Sequence, residues 1–511
     1  MISSIGKPLN KLFSLYLKKR MVEIENFMKS PLEVQDQALK KIIYTAKNTE
    51  FGLSNGFNYL RNSKEFKNRV LLSRYDDLLP FIERAKNGES NILWPGKVKF
   101  FAQSSGTTNN VIKNIPVTLD SLKECHYKGG KDLLSIYYKN NPNTQLFKGK
   151  HLIVGGNENK FSGNTKTVEG DLSAIIMKNL PWWCEWRRSP KKIKLLLSQN
   201  WEEKLKYVVK NSSKDDVQII AGAPSWVLVI MNEIIKEKKC SNIHEIWPNL
   251  ELYLHGGMNI QPYKKSFESI IEKEIHFYQN YNATEGFFGL QFENNSDDML
   301  LMLDYGIYYE FISKSHWEDS QPITLELEDV ELNTPYELVI STNGGLWRYR
   351  LEDTIIFTSI LPFKIKVIGR TQQFINMAGE ELMIQHVEKA IKEAAEKCSC
   401  IVGEFTLAPF LKTTNKSVGF HYWVIEFVSK PNDLIRFSKV LDNELQKTNI
   451  DYKAKRINNS PLQAPVIKVV QKNTFYCWLK SKNKLGGQNK IPRLSTTKQY
   501  INEILEMDIN N

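Results

Sequence analysis

The stretch VKFFAQSSGTTNNVIKNIPVT, residues 98–118, decides the fold class of this chain. It opens with the apolar, strand-like VKFFAQ, continues through the polar SSGTTNNVIKN and ends on IPVT. Two short apolar runs around a polar, glycine-containing segment are typical of two β-strands joined by a turn. The sequence therefore predicts a strand–turn–strand unit that presents a loop rich in hydroxyl groups.

This loop carries the groups that bind phosphate in proteins. Four hydroxyl side chains surround one glycine, and a lysine follows: Ser104, Ser105, Gly106, Thr107, Thr108 and Lys113. Hydroxyls, backbone N–H groups and an ammonium can together surround a polyphosphate. Neither GxxxxGK[ST] nor GxGxxG occurs, which argues against a P-loop ATPase and a conventional dinucleotide fold. A Ser/Thr-rich turn is also a common surface loop, so other segments must support the phosphate interpretation.

The segments on either side predict an α/β body. Before the loop, helical periods alternate with polar turns and indicate a helical cap. After it, strand-like segments at 151–156 and 216–222 are each followed by an amphipathic helix, as in α/β units with ligand loops at the strand ends. Antiparallel strands are predicted from alternating apolar and polar residues in the segments 306–312, 323–331, 336–342, 346–358 and 363–370.

A second unit is predicted after a short polar link at 371–376. The segment 379–397 is an amphipathic helix, and strands at 421–429 and 465–472 flank a helix at 434–447. The sequence therefore predicts two domains, residues 1–370 and residues 371–511, and a mixed α/β and α+β fold class.

Length and composition agree with two domains. The 511 residues are too many for one compact core, and 41% hydrophobic against 25% charged residues exclude a disordered or fibrous chain. Lys and Arg number 69 and Asp and Glu 57, which gives a net charge of +12. This charge suits phosphate-bearing ligands, but it is spread over lysine-rich helices, so we expect no nucleic-acid partner.

The sequence predicts a cytoplasmic protein. Its six cysteines are scattered, and the pair Cys398 and Cys400 lacks a second pair that would complete a zinc site. The N-terminus reads as an amphipathic helix without a signal-peptide core, and the most apolar stretch is too short to span a bilayer. We therefore expect reduced thiols and no membrane partner.

Further chemistry-bearing groups follow the predicted strands. In YNATEG, residues 281–286, Tyr281 offers a face for a base and Glu285 a carboxylate oxygen of the kind Mg²⁺ requires. The alternative is a strand-capping turn with an exposed glutamate. HGGM, residues 255–258, places two glycines where a flat ring could lie against backbone, and WRYRLED ends in Asp353, whose two oxygens could accept both ribose hydroxyls.

In chain order, SSGTT, HGGM, YNATEG, WRYRLED, the GR at 369–370 and the lysine of GGQNKIPRL resemble the successive core motifs of adenylate-forming enzymes. The segments GAPSWVLVIMNEI and IWPNLELYLHGGM are similar to the auxin-responsive acyl acid amido synthetases, which include plant hormone-conjugating enzymes and many bacterial members. The resemblance covers roughly residues 30–500. It implies a large N-terminal domain with mixed sheets, helices and a β-barrel-like part, and a small mobile C-terminal α+β domain.

The resemblance also implies the roles of residues around ATP. By this resemblance, the ATP phosphates would be bound by Ser104, Ser105, Gly106, Thr107, Thr108 and Lys113. Tyr281 would stack on adenine with Gly257 beside it, Thr284 would touch phosphate and Glu285 would bind Mg²⁺.

The ribose and the reaction centre involve three further residues. By the same resemblance, Asp353 would hold the ribose, Arg370 would assist there, and the small domain would deliver Lys490 by rotating about the 370–376 link. The chain departs from the family pattern twice: Asn109 and Asn110 lie where a glycine is usual in the phosphate loop, and Glu352 precedes the acid in place of the usual glycine.

The activity that the resemblance implies is a two-step ligation. A carboxylate would attack the α-phosphorus of MgATP and release pyrophosphate, while Lys113 and Lys490 offset charge; an amine, expected to be an amino acid, would then expel AMP and form an amide. A thioester-forming coenzyme A ligase and a non-catalytic nucleotide-binding relative are the alternatives, and Glu352 favours the second. We expect a monomer that binds small-molecule substrates.

The sequence alone does not assign a role to two residue types, the tryptophans and the histidines. Trp182, Trp183, Trp186 and Trp226 could wall an acyl pocket or belong to the core. The histidines show no HExxH or comparable ligand spacing, so a zinc hydrolase is not supported.

Overall fold

The computed structural model describes residues 2–105, 112–159, 167–257, 260–371, 374–377, 380–411, 419–456, 462–486, 489–495 and 497–509. The chain divides into two compact units. The first comprises Met1–Met258 with Lys273–Val367, and the second Asn259–Glu272 with Ile368–Asn511.

The strands up to Arg370 form one large and one small sheet. In chain order they are β1 (Phe100–Ser105), β2 (Ile112–Val117), β3 (Lys150–Val154), β4 (Glu158–Asn159), β5 (Val168–Gly170), β6 (Val217–Gly222), β7 (Leu252–Gly256), β8 (His276–Asn282), β9 (Phe287–Gln291), β10 (Met299–Leu301), β11 (Ile307–Ser313), β12 (Pro335–Thr342), β13 (Tyr349–Ile360) and β14 (Phe363–Arg370). The large sheet has the order β11-β12-β13-β14-β10-β9-β8-β7-β6-β3, and the small sheet the order β2-β1-β5-β4.

The large sheet has a parallel and an antiparallel half. Strands β3, β6, β7 and β8 pair in parallel, and from β8 onward the pairs β8–β9, β9–β10 and β10–β14 are antiparallel. The hairpin strands β11, β12 and β13 continue the antiparallel half to the edge. Strand β7 pairs with β6 on one side and β8 on the other, and its first two residues, Leu252 and Tyr253, are fully buried, as in an interior strand.

The large sheet is strongly coiled. Four strand spacings separate β8 from β13, which would put them about 19 Å apart in a flat sheet. Yet the hydroxyl of Tyr281 on β8 donates a hydrogen bond of 2.5 Å to Asp353 on β13. The strands between them must therefore curl until the two side chains meet, which is consistent with the barrel-like part that the family resemblance implies.

One predicted strand is wrong. The segment 323–331 forms no strand; it contains a short 3₁₀ turn, Leu327–Asp329, and one isolated bridge, from Leu325 to Phe311. The backbone N–H of Glu326 donates to the Asp329 carboxylate at 2.9 Å, which closes a capping box. Acidic side chains thus offer this backbone a local partner in place of a sheet ladder.

Helices cover the first unit, as the sequence predicts. They are α1 (Ile2–Lys29), α2 (Pro31–Ala46), α3 (Glu50–Ser54), α4 (Ser63–Arg69), α5 (Tyr75–Lys86), α6 (Leu119–Ser121), α7 (Lys128–Asn140), α8 (Leu172–Lys178), α9 (Trp182–Arg187), α10 (Ile193–Leu196), α11 (Trp201–Ser212) and α12 (Pro224–Lys238), with α13 (Lys264–Glu268) in the second unit. Of the helices that the structure describes, none is long and apolar enough to cross a membrane.

The helical cap packs onto the start of the WRYRLED segment. The fully buried Trp347 ring lies 4.8 Å from the Phe57 ring and stacks on Phe51 at 5.9 Å. Its indole N–H donates to the carbonyl of Leu93 at 3.2 Å, so the ring buries its apolar faces without losing its hydrogen bond. The cap therefore supports the strand that carries Asp353.

The second unit is a small α+β assembly. Its strands are β15 (Phe374–Ile375), β16 (Leu382–Met383), β17 (Ile401–Leu411), β18 (Gly419–Ser429) and β19 (Val466–Val470), and its further helices are α14 (Ile384–Lys397), α15 (Leu434–Thr448), α16 (Ile450–Lys455), α17 (Thr474–Ser481) and α18 (Gln499–Ile509). Strand β18 pairs antiparallel with β17 and parallel with β19. The mixed α/β and α+β class is confirmed, whereas β17 was not predicted.

The segment Asn259–Glu272 belongs to the second unit although it lies between β7 and β8 in the chain. The chain therefore passes from one unit to the other at 258–259, at 272–273 and at 367–368. The rotation about the 370–376 link stays a prediction, and it would have to bend the chain at the two earlier crossings as well. The crossing at 367–368 lies close to the predicted boundary at 370, whereas no pattern in the sequence indicates the two earlier crossings.

Helix α1 is fixed to the first unit by a buried ion pair. The guanidinium of Arg20 donates to both oxygens of Asp132 on α7 at 2.8 and 2.7 Å, and to Asp304 at 2.9 Å. The side chains of Arg20 and Asp132 are 2% and 0% exposed, and Tyr305 donates a further bond to Asp132. Because burial has removed water from the Arg20 guanidinium, these acceptors must stabilise its positive charge, and losing one would destabilise the fold.

We predict that Asp132→Asn lowers the free energy of unfolding by about 3 kcal/mol. The substitution removes the negative charge that faces the buried Arg20 guanidinium. Thermal denaturation checks this, with Asp36→Asn as the control, since the Lys40–Asp36 pair is about half exposed and worth below about 1 kcal/mol. Equal shifts in the two variants would contradict the assignment.

Candidate functional site

The predicted phosphate loop connects two antiparallel strands, β1 and β2, so the strand–turn–strand prediction is confirmed. Ser104 lies opposite Lys113 in the ladder, which puts the two residues at the base of the turn. The Lys113 ammonium lies 5.7 Å from the centre of the Tyr75 ring, and the Tyr75 hydroxyl accepts from the backbone N–H of Asn114 at 2.8 Å.

The remaining residues predicted at this turn include Ser105, which is the last residue of β1. Gly106, Thr107 and Thr108 lie outside the described residues, as do Asn109 and Asn110. Their contacts with phosphate stay a prediction.

The end of β7 is shaped by close backbone approach. A Cβ on Gly256 would lie 2.5 Å from the side-chain oxygen of Asn280 on β8, so that position accepts only glycine. The side-chain N–H₂ of Asn280 donates to the carbonyl of His255 at 3.0 Å, and Gly257 follows with φ +70°. Burial lowers the pKa of His255 to about 4, so its imidazole is neutral near pH 7. Asn280 was not singled out in the sequence.

The YNATEG segment forms the tight turn between β8 and β9. The backbone N–H of Ala283 donates to the carbonyl of Gly286 at 2.9 Å, which places Thr284 and Glu285 at the tip. Both tip side chains are half-buried, and the Thr284 hydroxyl donates to the Glu285 carboxylate. A carboxylate at an accessible tip fits Mg²⁺, which commonly takes one or two protein carboxylates beside phosphate oxygens.

Tyr281 and Asp353 are brought together by the coiling of the sheet. Both residues are buried, the Tyr281 ring packs on Phe288 at 4.8 Å, and its hydroxyl donates to one oxygen of Asp353. The structure thus joins the residues that the sequence predicted for adenine and for ribose. The hydroxyl also fixes the orientation of the carboxylate.

Glu352 adopts the backbone conformation that explains the usual glycine. Its φ is +65°, a left-handed value that costs a non-glycine residue roughly 1–2 kcal/mol. The β12–β13 register shifts here: Val339 faces Arg350 and Glu337 faces Thr354, so the extra residues of β13 form a bulge. The Glu352 carboxylate lies 3.7 Å from the Arg74 guanidinium. Asp353 therefore remains turned toward Tyr281 despite the substitution.

The two arginines of WRYRLED hold the antiparallel half of the sheet. Arg348 pairs with Glu310 at 2.8 Å, and Arg350 pairs with Glu337 at 2.6 Å; all four side chains are buried. Because each guanidinium also donates to backbone carbonyls, its charge is fully hydrogen-bonded. Arg348 and Arg350 therefore have a structural role. From the sequence motif alone they could equally have been ligand-binding residues.

Arg370 and Lys490 both belong to the second unit. Arg370 ends β14 and is half-buried, directly after Gly369. Lys490 is half-buried in the loop that follows α17, and a few residues later this loop pairs with β17 through a bridge between Leu494 and Leu407.

A π-helical stretch, Leu122–Tyr127, packs behind the YNATEG turn. The Cys125 thiol sulfur accepts from the backbone N–H of Phe287 at 3.1 Å, and the buried His126 side chain contacts Asn282. Burial lowers the pKa of His126 to about 4 and raises the pKa of Cys125 to about 12, so both are neutral near pH 7. Such π turns are rare and frequent at functional sites, but their sequence has no clear signature.

The four tryptophans have different surroundings. Trp182 and Trp186 are 81% and 57% exposed. Trp183 packs against Phe13 and Phe147, and the buried Trp226 lies 4.6 Å from Trp201. Trp226 is therefore a core residue.

Among the residues that the structure describes, no cluster of three or more His, Cys, Asp and Glu side chains is arranged to hold a metal ion.

Comparison with known families accounts for this arrangement. Residues 20–275 match the GH3 family N-terminal domain, residues 300–370 the GH3 family central domain and residues 385–499 the GH3 family C-terminal domain. The chain belongs to the GH3 family. The resemblance seen in the motif order is thereby confirmed.

Curated members of the GH3 family match over nearly their whole length. Indole-3-acetic acid-amido synthetase GH3.4 of Arabidopsis thaliana is 23% identical, over 93% of this chain and 91% of the relative. Jasmonoyl–L-amino acid synthetase JAR6 of Nicotiana attenuata is 22% identical, over 93% of each chain.

Solved structures show the same fold. The acyl acid amido synthetase AtGH3.15 in complex with 2,4-DB has a TM-score of 0.77 at 18% identity and covers 96% of both chains. A 2-hydroxyisobutyryl-CoA ligase has a TM-score of 0.53 at 10% identity, covering 98% of this chain and 92% of that one. The GH3 chain therefore has the fold of adenylate-forming ligases.

Replacing Glu352 tests the strain in β13. We predict that Glu352→Gly is more stable than Glu352→Ala by about 1 kcal/mol, because both lose the Arg74 contact while only glycine accepts φ +65° without strain. Thermal denaturation of the two variants measures this difference. If alanine were as stable as glycine, the left-handed bulge would be wrong.

The Tyr281–Asp353 bond predicts a loss of nucleotide affinity. Tyr281→Phe keeps the ring but frees the carboxylate to turn, so the Kd for ATP should rise about tenfold, the worth of a hydrogen bond to a charged group. Asp353→Ala should weaken binding at least as much. Calorimetric titration with ATP measures both, and an unchanged Kd in both variants would place the ribose contact elsewhere.

Proposed function

We propose that this GH3 protein adenylates a carboxylic acid with ATP and then transfers the acyl group to an amine, expected to be an amino acid. The observation that carries the proposal is the match to the GH3 family over all three of its domains, which includes SSGTT, HGGM, WRYRLED, the GR at 369–370 and Lys490. YNATEG, residues 281–286, lies between the N-terminal and the central match. The contact between Tyr281 and Asp353 supports it, because it assembles two of those motifs in one place.

Adenylation makes the carboxyl carbon of the acid reactive toward an amine. A carboxylate resists nucleophilic attack because it is resonance-stabilised and negatively charged. Its attack on the α-phosphorus of ATP expels pyrophosphate and gives a mixed anhydride with AMP, whose acyl carbon is electrophilic. An amine then attacks that carbon, and AMP leaves with the bonding electrons while the nitrogen loses a proton.

The residues act mainly by placement and electrostatics. We propose that Ser104, Lys113 and the rest of the β1–β2 turn hold the phosphates, and that Lys490 and Lys113 offset negative charge as pyrophosphate forms. Tyr281 and Gly257 would hold the adenine, and Asp353 with Arg370 the ribose. These roles rest on the motif order and on the positions described above, and no general base is assigned.

We propose that Glu285, with Thr284 beside it, contributes the protein ligand for Mg²⁺. A single carboxylate suffices because this ion is commonly held between protein and substrate phosphates, and when bound it offsets phosphate charge. The protein's part is to fix the carboxylate, which the tight turn from Ala283 to Gly286 and the Thr284 hydroxyl achieve.

The amide product is supported by the names of two relatives, an indole-3-acetic acid-amido synthetase and a jasmonoyl–L-amino acid synthetase. The likeness to a coenzyme A ligase concerns the fold and does not favour a thioester. A monomeric state and a cytoplasmic location stay predictions.

A pyrophosphate-release screen tests the function. Indole, jasmonic and benzoic acids with ATP should include at least one that releases pyrophosphate, and product mass spectrometry with amino acids or coenzyme A as acceptors should show the amide. A thioester as the sole product would overturn the acceptor assignment. Absence of nucleotide-dependent turnover across a broad acid panel would favour the non-catalytic alternative.

For the metal ligand we predict that Glu285→Gln loses most Mg²⁺-dependent pyrophosphate release at unchanged thermal stability, because only a charged oxygen ligand is removed. Glu293→Gln, which removes a mostly exposed carboxylate nearby in the chain, is the matched control. Near wild-type release by Glu285→Gln at saturating Mg²⁺ would contradict the assignment.

A further inference from the structure

Two buried side chains and one partly buried side chain of the second unit form a closed network next to the loop that carries Lys490. The Tyr263 hydroxyl donates to the two oxygens of Glu404 on β17 at 3.0 and 3.2 Å and accepts a hydrogen bond from Arg493. Arg493 completes the network with a 2.8 Å ion pair to Glu404. Each member thus supplies the partner that the other two need.

Tyr263 and Arg493 are largely desolvated, so the network is sensitive to the loss of one member, whereas Glu404 is 19% exposed. Tyr263 and Arg493 are 3% and 9% exposed, and the guanidinium lies 4.3 Å from the centre of the Phe405 ring. Burial raises the pKa of the Tyr263 hydroxyl well above its usual range, so it keeps the proton that it donates. Removing the hydroxyl would leave the buried Arg493 guanidinium and the partly buried Glu404 carboxylate short of a partner.

Arg493 holds the backbone that carries Lys490. It donates to the carbonyl of Phe405 at 2.9 Å, and its own carbonyl accepts from the backbone N–H of Leu407 at 3.0 Å. On either side, Thr406 donates to the carbonyl of Pro492 at 2.6 Å, and the backbone N–H of Ser495 donates to Leu407. Residues 492–495, which follow Lys490, therefore lie along β17 and are joined to it by the bridge between Leu494 and Leu407.

Tyr263 comes from a different part of the chain. It ends the 3₁₀ turn Gln261–Tyr263, which follows β7 and Gly257 and precedes β8 in sequence. This segment contacts β17 and α14 within the second unit. The chain that joins two strands of the proposed nucleotide site thus supplies a hydrogen bond to the loop of the proposed catalytic lysine.

We propose that Tyr263 is a positioning residue for Lys490: its hydroxyl, through Arg493 and Glu404, holds the Lys490 loop in the geometry that adenylation requires. The inference rests on the proposed role of Lys490. Tyr263 touches no reacting atom, and it acts by fixing the backbone from which the lysine extends. A displacement of about 1 Å at a reacting group can cost about a hundredfold in rate.

The same unit offers a matched control. Tyr452 is also fully buried and donates to Asp442 at 2.7 Å, and Arg456 pairs with that carboxylate at 2.7 Å. This triad has the same chemistry as the Tyr263 network but lies on α15 and α16, away from the Lys490 loop in sequence. Tyr452→Phe therefore measures the effect of losing a buried tyrosine hydroxyl on the unit in general.

The first test needs no substrate. In the full chain, acetic anhydride acetylates Lys490, and peptide mass spectrometry measures the rate. This rate should change several-fold in Tyr263→Phe. The exposed Lys447 serves as the internal reference. In Tyr452→Phe the Lys490 rate should stay at the wild-type value. An unchanged Lys490 rate in Tyr263→Phe, or an equal change in both variants, would overturn the proposal.

The second test uses the acid found by the pyrophosphate-release screen. Tyr263→Phe should lower kcat for pyrophosphate release roughly 10- to 100-fold with little change in KM for ATP. Reaction of a supplied acyl adenylate with amine should largely survive. Tyr452→Phe should lower neither, and equal losses in both half-reactions of Tyr263→Phe would overturn the proposal.

A double-mutant cycle separates this inference from the function on which it rests. Lys490→Ala alone should depress pyrophosphate release, and Tyr263→Phe should add nothing further in that background, because it acts through the lysine. A full additional loss would overturn the positioning role alone. If Lys490→Ala had no effect, the proposed role of Lys490 would fail, and the catalytic meaning of the network with it.

Discussion

The coiling of the ten-stranded sheet determines where the candidate site lies. The hydrogen bond between Tyr281 and Asp353 can form only if β13 curls back over β8, because a flat sheet would hold the two strands about 19 Å apart. Coiling puts the YNATEG turn and the end of WRYRLED side by side. The buried pairs Arg348–Glu310 and Arg350–Glu337 hold the far strands that make this curvature possible.

Local backbone geometry explains a departure from the family pattern. Glu352 occupies a left-handed bulge where the GH3 pattern has glycine, and the neighbouring Asp353 keeps its contact with Tyr281. The chain therefore tolerates strain of roughly 1–2 kcal/mol in β13 without losing the orientation of the acid. Glu352 thus gives no structural reason to regard the protein as a non-catalytic relative.

The sequence could predict what depends on local pattern. Alternation revealed β12 and β14, helical periodicity revealed α14 and α15, and the order of motifs revealed the family. It could not predict the bond between Tyr281 and Asp353, the Asn280 contact or the assignment of Asn259–Glu272 to the second unit, because these depend on long-range packing. The segment 323–331 was mistaken for a strand because acidic side chains cap a turn there.

The central claim is that the carboxylate attacks ATP at the α-phosphorus. With the preferred acid labelled with oxygen-18 in its carboxylate, one labelled oxygen should appear in AMP and the other should remain in the amide, because the bond from the acyl carbon to the bridging oxygen breaks in the second step. Mass spectrometry of both products measures this. Unlabelled AMP, or ADP with the label in inorganic phosphate, would contradict the account.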